Sequence, residues 1–208
     1  MIFLQALKVY FGLSHQARVS TAIEAVSNAL LKNFVPSYLG YEHLTRDQVL
    51  EQHTPPSVSK IAETGTNSIV IVLDGTYLQI DSPSDYETQR KTFSTHKGYN
   101  LVKPMMLVFP NGYILEAEGP FFGDTNNSDT KILDWMMDNS PELRAFFSVG
   151  DCFVLDRGFK NCIPRLESEG FKVMMPLFLE PKQKQFTTEQ ANISRQVCFY
   201  LLNKRHSH

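Results

Sequence analysis

Apolar positions in the first forty residues recur with the period of an α-helix. The segment LSHQARVSTAIEAVSNALLKNF has its apolar residues at helical spacing, at Val19, Ala22, Ile23, Val26, Leu30 and Leu31. This spacing predicts a helix, with Ser20 as a candidate N-cap and Pro36 as its end. A shorter helical pattern precedes it, with a turn at Gly12. Either a helix-turn-helix or a plain amphipathic hairpin fits, and the scarcity of Arg and Lys favours the hairpin.

A polar stretch follows this helical segment. Residues 41–66 end in ETGTNS, a composition typical of a linker. We therefore predict two parts: residues 1–66 form a helical N-terminal segment with its linker, and residues 67–208 form a second domain.

Beyond the linker, the pattern changes to short apolar runs separated by turn signals. IVIVLDGTYLQI, TFSTHKGY and LVKPMMLVFP predict strands, and Asn111-Gly112 predicts a tight turn before YILEAEGPFF. Later segments alternate between helix and strand. The first of them, SDTKILDWMMDN, predicts a helix with Ser128 as its N-cap. The last predicts a helix that opens with Thr187 and Gln190 in capping-box spacing. This order predicts an α/β fold in which an antiparallel meander feeds a parallel core.

Composition limits the class of protein. The chain has 208 residues, 42% of them apolar, and a formal net charge of −2, which is typical of a soluble globular protein without a global basic surface. Its three cysteines form no CxxC pair, which indicates a reducing compartment. No apolar run approaches the ~18 residues of a membrane span, and the N-terminus lacks the basic region of a signal peptide. We expect an intracellular protein, nuclear or cytoplasmic, that is neither secreted nor a partner of membranes.

Two apolar runs end in an aspartate with a glycine close behind. Asp74 precedes Gly75, and Asp156 lies two residues before Gly158. Runs buried on both faces are typical of central strands in α/β sheets, and ligands bind at the ends of such strands. If the two strands are neighbours, the carboxylates repel unless one takes up a proton or a cation such as Mg²⁺ or Mn²⁺ joins them. The alternative is that both aspartates only form turns.

Other acids have simpler interpretations. The remaining candidates for a cation site are Asp124, Asp129, Asp134, Asp138 and Asp151. Asp134 and Asp138 fit the solvent face of a helix, and Asp129 fits a helix N-terminus, where a carboxylate stabilises the helix dipole. The six histidines show no zinc spacing with the cysteines.

Several motifs occur together in one order: DGTY, QRKTFSTHKGYNLVKPM, NGYIL, GPFF followed by NNSD, and DRGF. In this order they resemble the nuclease domain of PIF/Harbinger-type transposases, which are DDE superfamily endonucleases, from roughly Ser68 to Cys198. The preceding segment is similar to the helix-turn-helix-like region ahead of that nuclease, which shifts the interpretation of the first forty residues toward it. The resemblance implies an RNase H-like mixed sheet with flanking helices, and it makes residues 67–208 a DDE endonuclease-like domain.

The resemblance also implies a chemistry. Family members use two aspartates and a glutamate to hold two divalent cations, Mg²⁺ or Mn²⁺, that cleave DNA phosphodiesters. Residue by residue, Asp74 corresponds to the first acid and Asp156 to the second, as catalytic and metal-binding residues. The ANISR motif that precedes the glutamate is intact, but Arg205 stands near the implied position and no acid follows Glu189. The resemblance therefore implies a domain truncated or divergent before the third acid.

Three hypotheses for function follow. The first is a nuclease of the transposase type that is impaired by loss of the third acid. The second is a catalytically dead, transposase-derived module that binds DNA or protein, and the third is a gene fragment without a settled role. DNA is the implied partner, with a separate DNA-binding protein as a further candidate, and the sequence does not define the oligomeric state.

Two other groups of residues have open interpretations. A basic strip with Phe93 in its middle could contact DNA phosphates or form the solvated face of a hairpin; it consists of Gln89, Arg90, His96, Lys97 and Lys103. Trp135, with Met136 and Met137, is either core or a face that contacts another protein.

Overall fold

The computed structural model describes residues 2–179, 183 and 185–203. It contains two compact units, Met1–His43 and Leu44–His208. Our division of the chain into domains at residue 66 stays a prediction.

The first unit is helical, as the apolar spacing predicts. It consists of α1 (Ile2–Tyr10), α2 (Gln16–Ala29), a π-helical turn (Leu30–Phe34) and α3 (Val35–Tyr38). Both predicted ends of the main helix are wrong. Ser20 lies inside α2, whose N-cap is His15, and Pro36 lies in the first turn of α3, where a proline costs no helical hydrogen bond. Helix-turn-helix and hairpin both stay predictions for this unit.

The polar stretch that we interpreted as a linker contains two short helices, α4 (Arg46–Gln52) and α5 (Pro56–Ile61). Thr45 and Gln48 form a capping box at the start of α4. Each helix buries few apolar side chains, Val49 in α4 and Val58 in α5, so no long apolar period marks them in the sequence.

The second unit is built on a mixed sheet of seven strands. The strands are β1 (Val70–Gly75), β2 (Leu78–Gln79), β3 (Phe93–Ser94), β4 (Tyr99–Val108), β5 (Ile114–Phe122), β6 (Cys152–Val154) and β7 (Lys172–Met174). β4 pairs antiparallel with β1 and with β5, whereas β1, β6 and β7 pair in parallel. This topology confirms the predicted antiparallel meander that feeds a parallel core.

Helices flank the sheet. They are α6 (Tyr86–Thr92), α7 (Asp129–Asn139), α8 (Pro141–Phe146), α9 (Ile163–Ser168) and α10 (Thr188–Asn203). The predicted N-cap of α7 at Ser128 is confirmed, as is the reciprocal bonding of Thr187 and Gln190 at the start of α10. The strand predicted in TFSTHKGY shrinks to the two residues of β3, because α6 ends at Thr92 and residues 95–98 form the turn into β4. Within the described ranges, no helix combines the length and apolarity needed to cross a membrane.

The core lies on both faces of β1, as the continuous apolar run predicts. On one face, Val72 packs with Val154 of β6, Val58 of α5 and Val197 of α10. On the other face, Phe153 of β6 contacts the rings of Phe147 and Phe171 at centroid distances of 5.2 and 5.0 Å.

A buried carboxylate fixes the two central strands at their N-terminal ends. The side chain of Asp151, directly before β6, is fully buried and accepts hydrogen bonds from both terminal nitrogens of Arg46 at 2.8 and 2.7 Å. It also accepts from the backbone N–H groups of Ile69 and Ser148, each at 2.8 Å. The hydrogen bond to Asp151 raises the pKa of Arg46. Asp151 is therefore a structural acid that joins α4 to the starts of β1 and β6.

We predict that Arg46→Ala lowers the free energy of unfolding by about 3 kcal/mol, because it leaves the buried Asp151 carboxylate without its cation. Urea denaturation followed by circular dichroism measures the change. The control is Lys91→Ala, which breaks the exposed Lys91–Glu87 pair and is expected to cost about 0.5 kcal/mol or less. Equal losses in the two variants would contradict an anchoring role for Asp151.

Candidate active site

The register between β1 and β6 brings the two strand-end aspartates together. Val70 pairs with Cys152 and Val72 with Val154. Asp74 lies two residues further along β1, and Asp156 lies two residues beyond the end of β6, where it caps the turn that follows. Because the two strands run in parallel, both acids come at the same end of the sheet. The prediction that the strands carrying these acids are neighbours is confirmed.

Asp156 is a turn former and also a member of an acidic group. Its Oδ1 accepts a hydrogen bond from the Gly158 N–H at 2.8 Å and caps a 3₁₀ turn, Arg157–Cys162. Burial raises the pKa of Asp156, and the carboxylates of Asp129 and Asp74 raise it further, against the opposing effects of the Gly158 N–H and Lys103. The two alternatives drawn from the sequence, turn and acid site, therefore both apply to this residue.

Asp129 is a third carboxylate at this end of the sheet. It is the first residue of α7, and the N-cap Ser128 starts the helix at that point. The neighbouring Thr130 hydroxyl donates a hydrogen bond to the Gly158 carbonyl at 3.0 Å, which ties the start of α7 to the turn after Asp156. From the sequence, Asp129 is a remaining candidate for the cation site whose simpler interpretation is a helix-dipole role, and the structure brings it close to Gly75 and Gly158.

The two glycines that follow the acids make room for the Asp129 carboxylate. A Cβ added at Gly75 would lie 2.5 Å from Asp129 Oδ1, and one added at Gly158 would lie 3.1 Å from Asp129 Oδ2 and 2.9 Å from Asp156 Oδ1. A glycine permits close approach by another group, and at both positions one approaching group is the side chain of Asp129.

Lys103 of β4 completes the group. Its side chain is only 4% exposed, and its Nζ lies 2.5 Å from Asp129 Oδ1. The ammonium also faces the carbonyl of Asn127 at 3.5 Å and the ring of Tyr77 at 5.3 Å. Of the two interpretations of the basic strip, DNA contact and solvated face, neither fits a buried Lys103.

The donor set fits one divalent cation with few protein ligands. Asp74 and Asp156 supply hard carboxylate oxygens at one edge. Burial raises the pKa of Asp156, and the negative charges of Asp129 and Asp74, which a cation would offset, raise it further. Mg²⁺ binds proteins through one or two carboxylates and completes its shell with water. Among the described residues, no three His, Cys, Asp or Glu side chains are arranged to hold a metal. Asp129 is directed to Lys103 through its Oδ1, so we take Asp74 and Asp156 as the two carboxylate ligands.

For the third acid that the resemblance implies, the described part of α10 offers one carboxylate, that of Glu189 in the first turn of the helix. Arg205, which stands near the implied position of the glutamate, lies outside the described residues.

Two exposed aromatic rings, those of Tyr77 and Phe178, have cations over their faces. Tyr77, three residues after Asp74, has the Lys97 ammonium 4.6 Å from its ring centroid. Phe178 has Arg157 at 5.2 Å and Lys160 at 4.8 Å. Both rings are more than 40% exposed, so each offers an apolar face beside a positive charge.

For Trp135, Met136 and Met137, the sequence left open whether they belong to the core or to a face that contacts another protein. Met136 and Met137 are fully buried, whereas Trp135 is 46% exposed and packs edge-on against Phe121 at 5.4 Å.

Comparison with known proteins adds one result. The family model described as DDE superfamily endonuclease matches residues 73–199, a range that includes Asp74, Lys103, Asp129 and Asp156. No curated protein and no solved structure gives a match to the chain.

We predict that Gly75→Ala lowers the free energy of unfolding by about 1–2 kcal/mol, because the new methyl group overlaps Lys103 and Asp129 in a closed space. The control is Gly65→Ala, whose methyl group would meet only Ser68 Oγ at 3.9 Å. Thermal and urea unfolding measure both variants. A Gly75→Ala protein as stable as Gly65→Ala would show that the Asp129–Lys103 pair does not fill the space beside Gly75.

Proposed function

This chain belongs to the DDE superfamily endonucleases, and from that membership we propose that residues 67–208 are a PIF/Harbinger-type transposase nuclease domain acting on DNA phosphodiesters. The mixed sheet supports an RNase H-like fold, because β1 pairs antiparallel with β4 on one side and parallel with β6 on the other. The helical first unit is the counterpart of the helix-turn-helix-like region in this proposal.

The observation that carries the proposal is the parallel pairing of β1 with β6, because Asp74 and Asp156 then come at the same end of the sheet. We assign these two acids as the catalytic and metal-binding residues, with Mg²⁺ or Mn²⁺ as the cofactor. A divalent cation bound there would supply Lewis-acid stabilisation to a phosphodiester undergoing hydrolysis. The contribution of the chain is to hold the two carboxylates side by side on rigid strands, since both strands are buried directly before the acids.

DNA is the partner that the surface around the acids supports. Lys97, Arg157 and Lys160 are exposed cations that can neutralise phosphates. The rings of Tyr77 and Phe178 can stack on bases, a contact that does not depend on sequence. Because the formal net charge is −2, the chain lacks the global attraction to DNA of a basic protein. We therefore propose a separate DNA-binding protein as a further partner. We also propose that the protein acts inside the cell, in the nucleus or the cytoplasm.

The proposed enzyme is impaired. Two carboxylates leave a two-metal site incomplete, and the described residues contain no group of three acids that could hold a metal. The same observation favours a second candidate function, a catalytically dead transposase-derived module that retains DNA or protein binding.

We predict weak Mn²⁺ binding that depends on Asp156. Titration calorimetry of the wild type should show one weak binding event, and Asp156→Asn should abolish it because one of two ligands loses its charge. Asp81→Asn removes an exposed acid outside the site and serves as the control, with heats equal to those of the wild type. Identical heats for wild type and Asp156→Asn would rule out this cation site.

Catalysis is tested by nicking of supercoiled DNA. We predict no nicking with Mg²⁺ and only trace nicking with Mn²⁺, abolished in Asp74→Ala. Efficient cleavage by the wild type that is lost in Asp74→Ala would contradict the impairment and support a complete site. Binding of DNA without any cleavage would favour the second candidate function.

A further inference from the structure

The path of the Lys103 side chain is set by the backbone of two strands. Gly75 of β1 pairs with Met105 of β4, and the Thr76 N–H donates to the Pro104 carbonyl at 3.0 Å. The backbone of Lys103 therefore lies close to Gly75 and Thr76, the two residues that follow Asp74. A Cβ at Gly75 would overlap Lys103 Cε, so the lysine passes through the space that the missing side chain leaves.

The Lys103 ammonium ends in a closed environment. Its neighbours are the Asp129 carboxylate, the Asn127 carbonyl and the face of the Tyr77 ring. A buried ammonium needs a counter-charge, and Asp129 supplies it. Lys103 is buried and Asp129 is 24% exposed, and the pair joins β4, which carries the lysine, to α7, which carries the acid.

Asp129 links this ammonium to the proposed cation ligands. Its Oδ1 faces Lys103, while its Oδ2 and the Oδ1 of Asp156 border the same point above Gly158. The charges therefore follow one another across the site, from Lys103 through Asp129 to Asp156. A cation held by Asp74 and Asp156 shares this edge of the sheet with a fixed positive charge, and two positive charges in a partly buried site repel each other strongly.

We propose that the Lys103–Asp129 pair is an internal counter-ion that sets the divalent-cation affinity of the Asp74–Asp156 site. The paired ammonium neutralises a carboxylate that could otherwise serve the cation, and it adds a positive charge beside it. This inference rests on the proposed function, because it takes Asp74 and Asp156 as the cation ligands. Lys103 and Asp129 are positioning residues in this role.

The inference predicts effects of opposite sign for the two members of the pair. Lys103→Met removes the ammonium and leaves Asp129 as a free carboxylate, so Mn²⁺ should bind about tenfold more tightly or better. Asp129→Asn leaves the ammonium without its partner, so Mn²⁺ should bind about tenfold more weakly or worse. The double variant removes both charges and should fall between the two single variants.

The test is Mn²⁺ affinity measured by titration calorimetry and by electron paramagnetic resonance of free Mn²⁺, without DNA and without an activity assay. Lys103→Arg keeps the charge and should retain the wild-type affinity. The matched control is Lys91→Met, which breaks an exposed Lys–Glu pair of similar geometry, with a nitrogen–oxygen distance of 2.7 Å, and should leave the affinity unchanged. Circular dichroism checks that each variant folds. If Lys103→Met does not fold, the two single variants Lys103→Arg and Asp129→Asn provide the test: the first should keep the wild-type Mn²⁺ affinity and the second should lower it.

The possible failures can be distinguished. If the wild type binds Mn²⁺ but Lys103→Met and Asp129→Asn shift the affinity in the same direction or leave it unchanged, the pair is only structural and this inference is overturned. If neither the wild type nor Lys103→Met binds Mn²⁺, Asp74 and Asp156 are not a cation site and the proposed function fails with it.

Discussion

The parallel register between β1 and β6 is the constraint on which the rest of the site depends. At its N-terminal end, the Asp151 carboxylate receives four hydrogen bonds, from Arg46, Ile69 and Ser148, so its charge is compensated within the fold. At its C-terminal end, Asp156 receives one backbone hydrogen bond and faces two other carboxylates, and its pKa rises. The number of hydrogen-bond donors around each carboxylate distinguishes Asp151, which stabilises the fold, from Asp156, which we propose as a cation ligand.

The space at the end of the sheet that carries the acids is tightly filled. Gly75 and Gly158 carry no side chain at the two points where the Asp129 carboxylate fits, and the same gap at Gly75 admits Lys103. A side chain added at either glycine would displace a charged group, so the packing at this end of the sheet also sets the positions of the charges. This coupling explains why an α7 residue belongs to a site built mainly from strand ends.

Much of the fold follows from local sequence signals. The apolar runs before Asp74 and Asp156 indicate strands buried on both faces, and Ser128 and Thr187 mark helix starts because their hydroxyls accept backbone N–H groups. α4, α5 and α6 are missed because short helices bury too few apolar residues to show a period. Ser20 and Pro36 mislead because both residue types are also tolerated inside or at the first turn of a helix.

The sequence pattern singles out Asp74 and Asp156 of the candidate site, but it does not predict the residues around them. Asp74 and Asp156 each end an apolar run, whereas Asp129 follows an N-cap serine, where acids commonly stabilise the helix dipole. Lys103 gave one usable signal, a lysine within the otherwise apolar stretch NLVKPMML. A lysine in a strand buried on both faces requires a buried acid as its partner, but the partner's identity depends on how α7 packs on the sheet, which the sequence pattern does not specify.

The central claim is that Asp74 and Asp156 converge on one cation. The most direct measurement is anomalous diffraction at the manganese edge from crystals of the chain soaked in Mn²⁺. The account predicts an anomalous peak in contact with carboxylate oxygens of both Asp74 and Asp156, with Lys103 still paired to Asp129 in the wild type. A Mn²⁺ peak at other acids, with the Asp74 and Asp156 carboxylates turned apart, would contradict it.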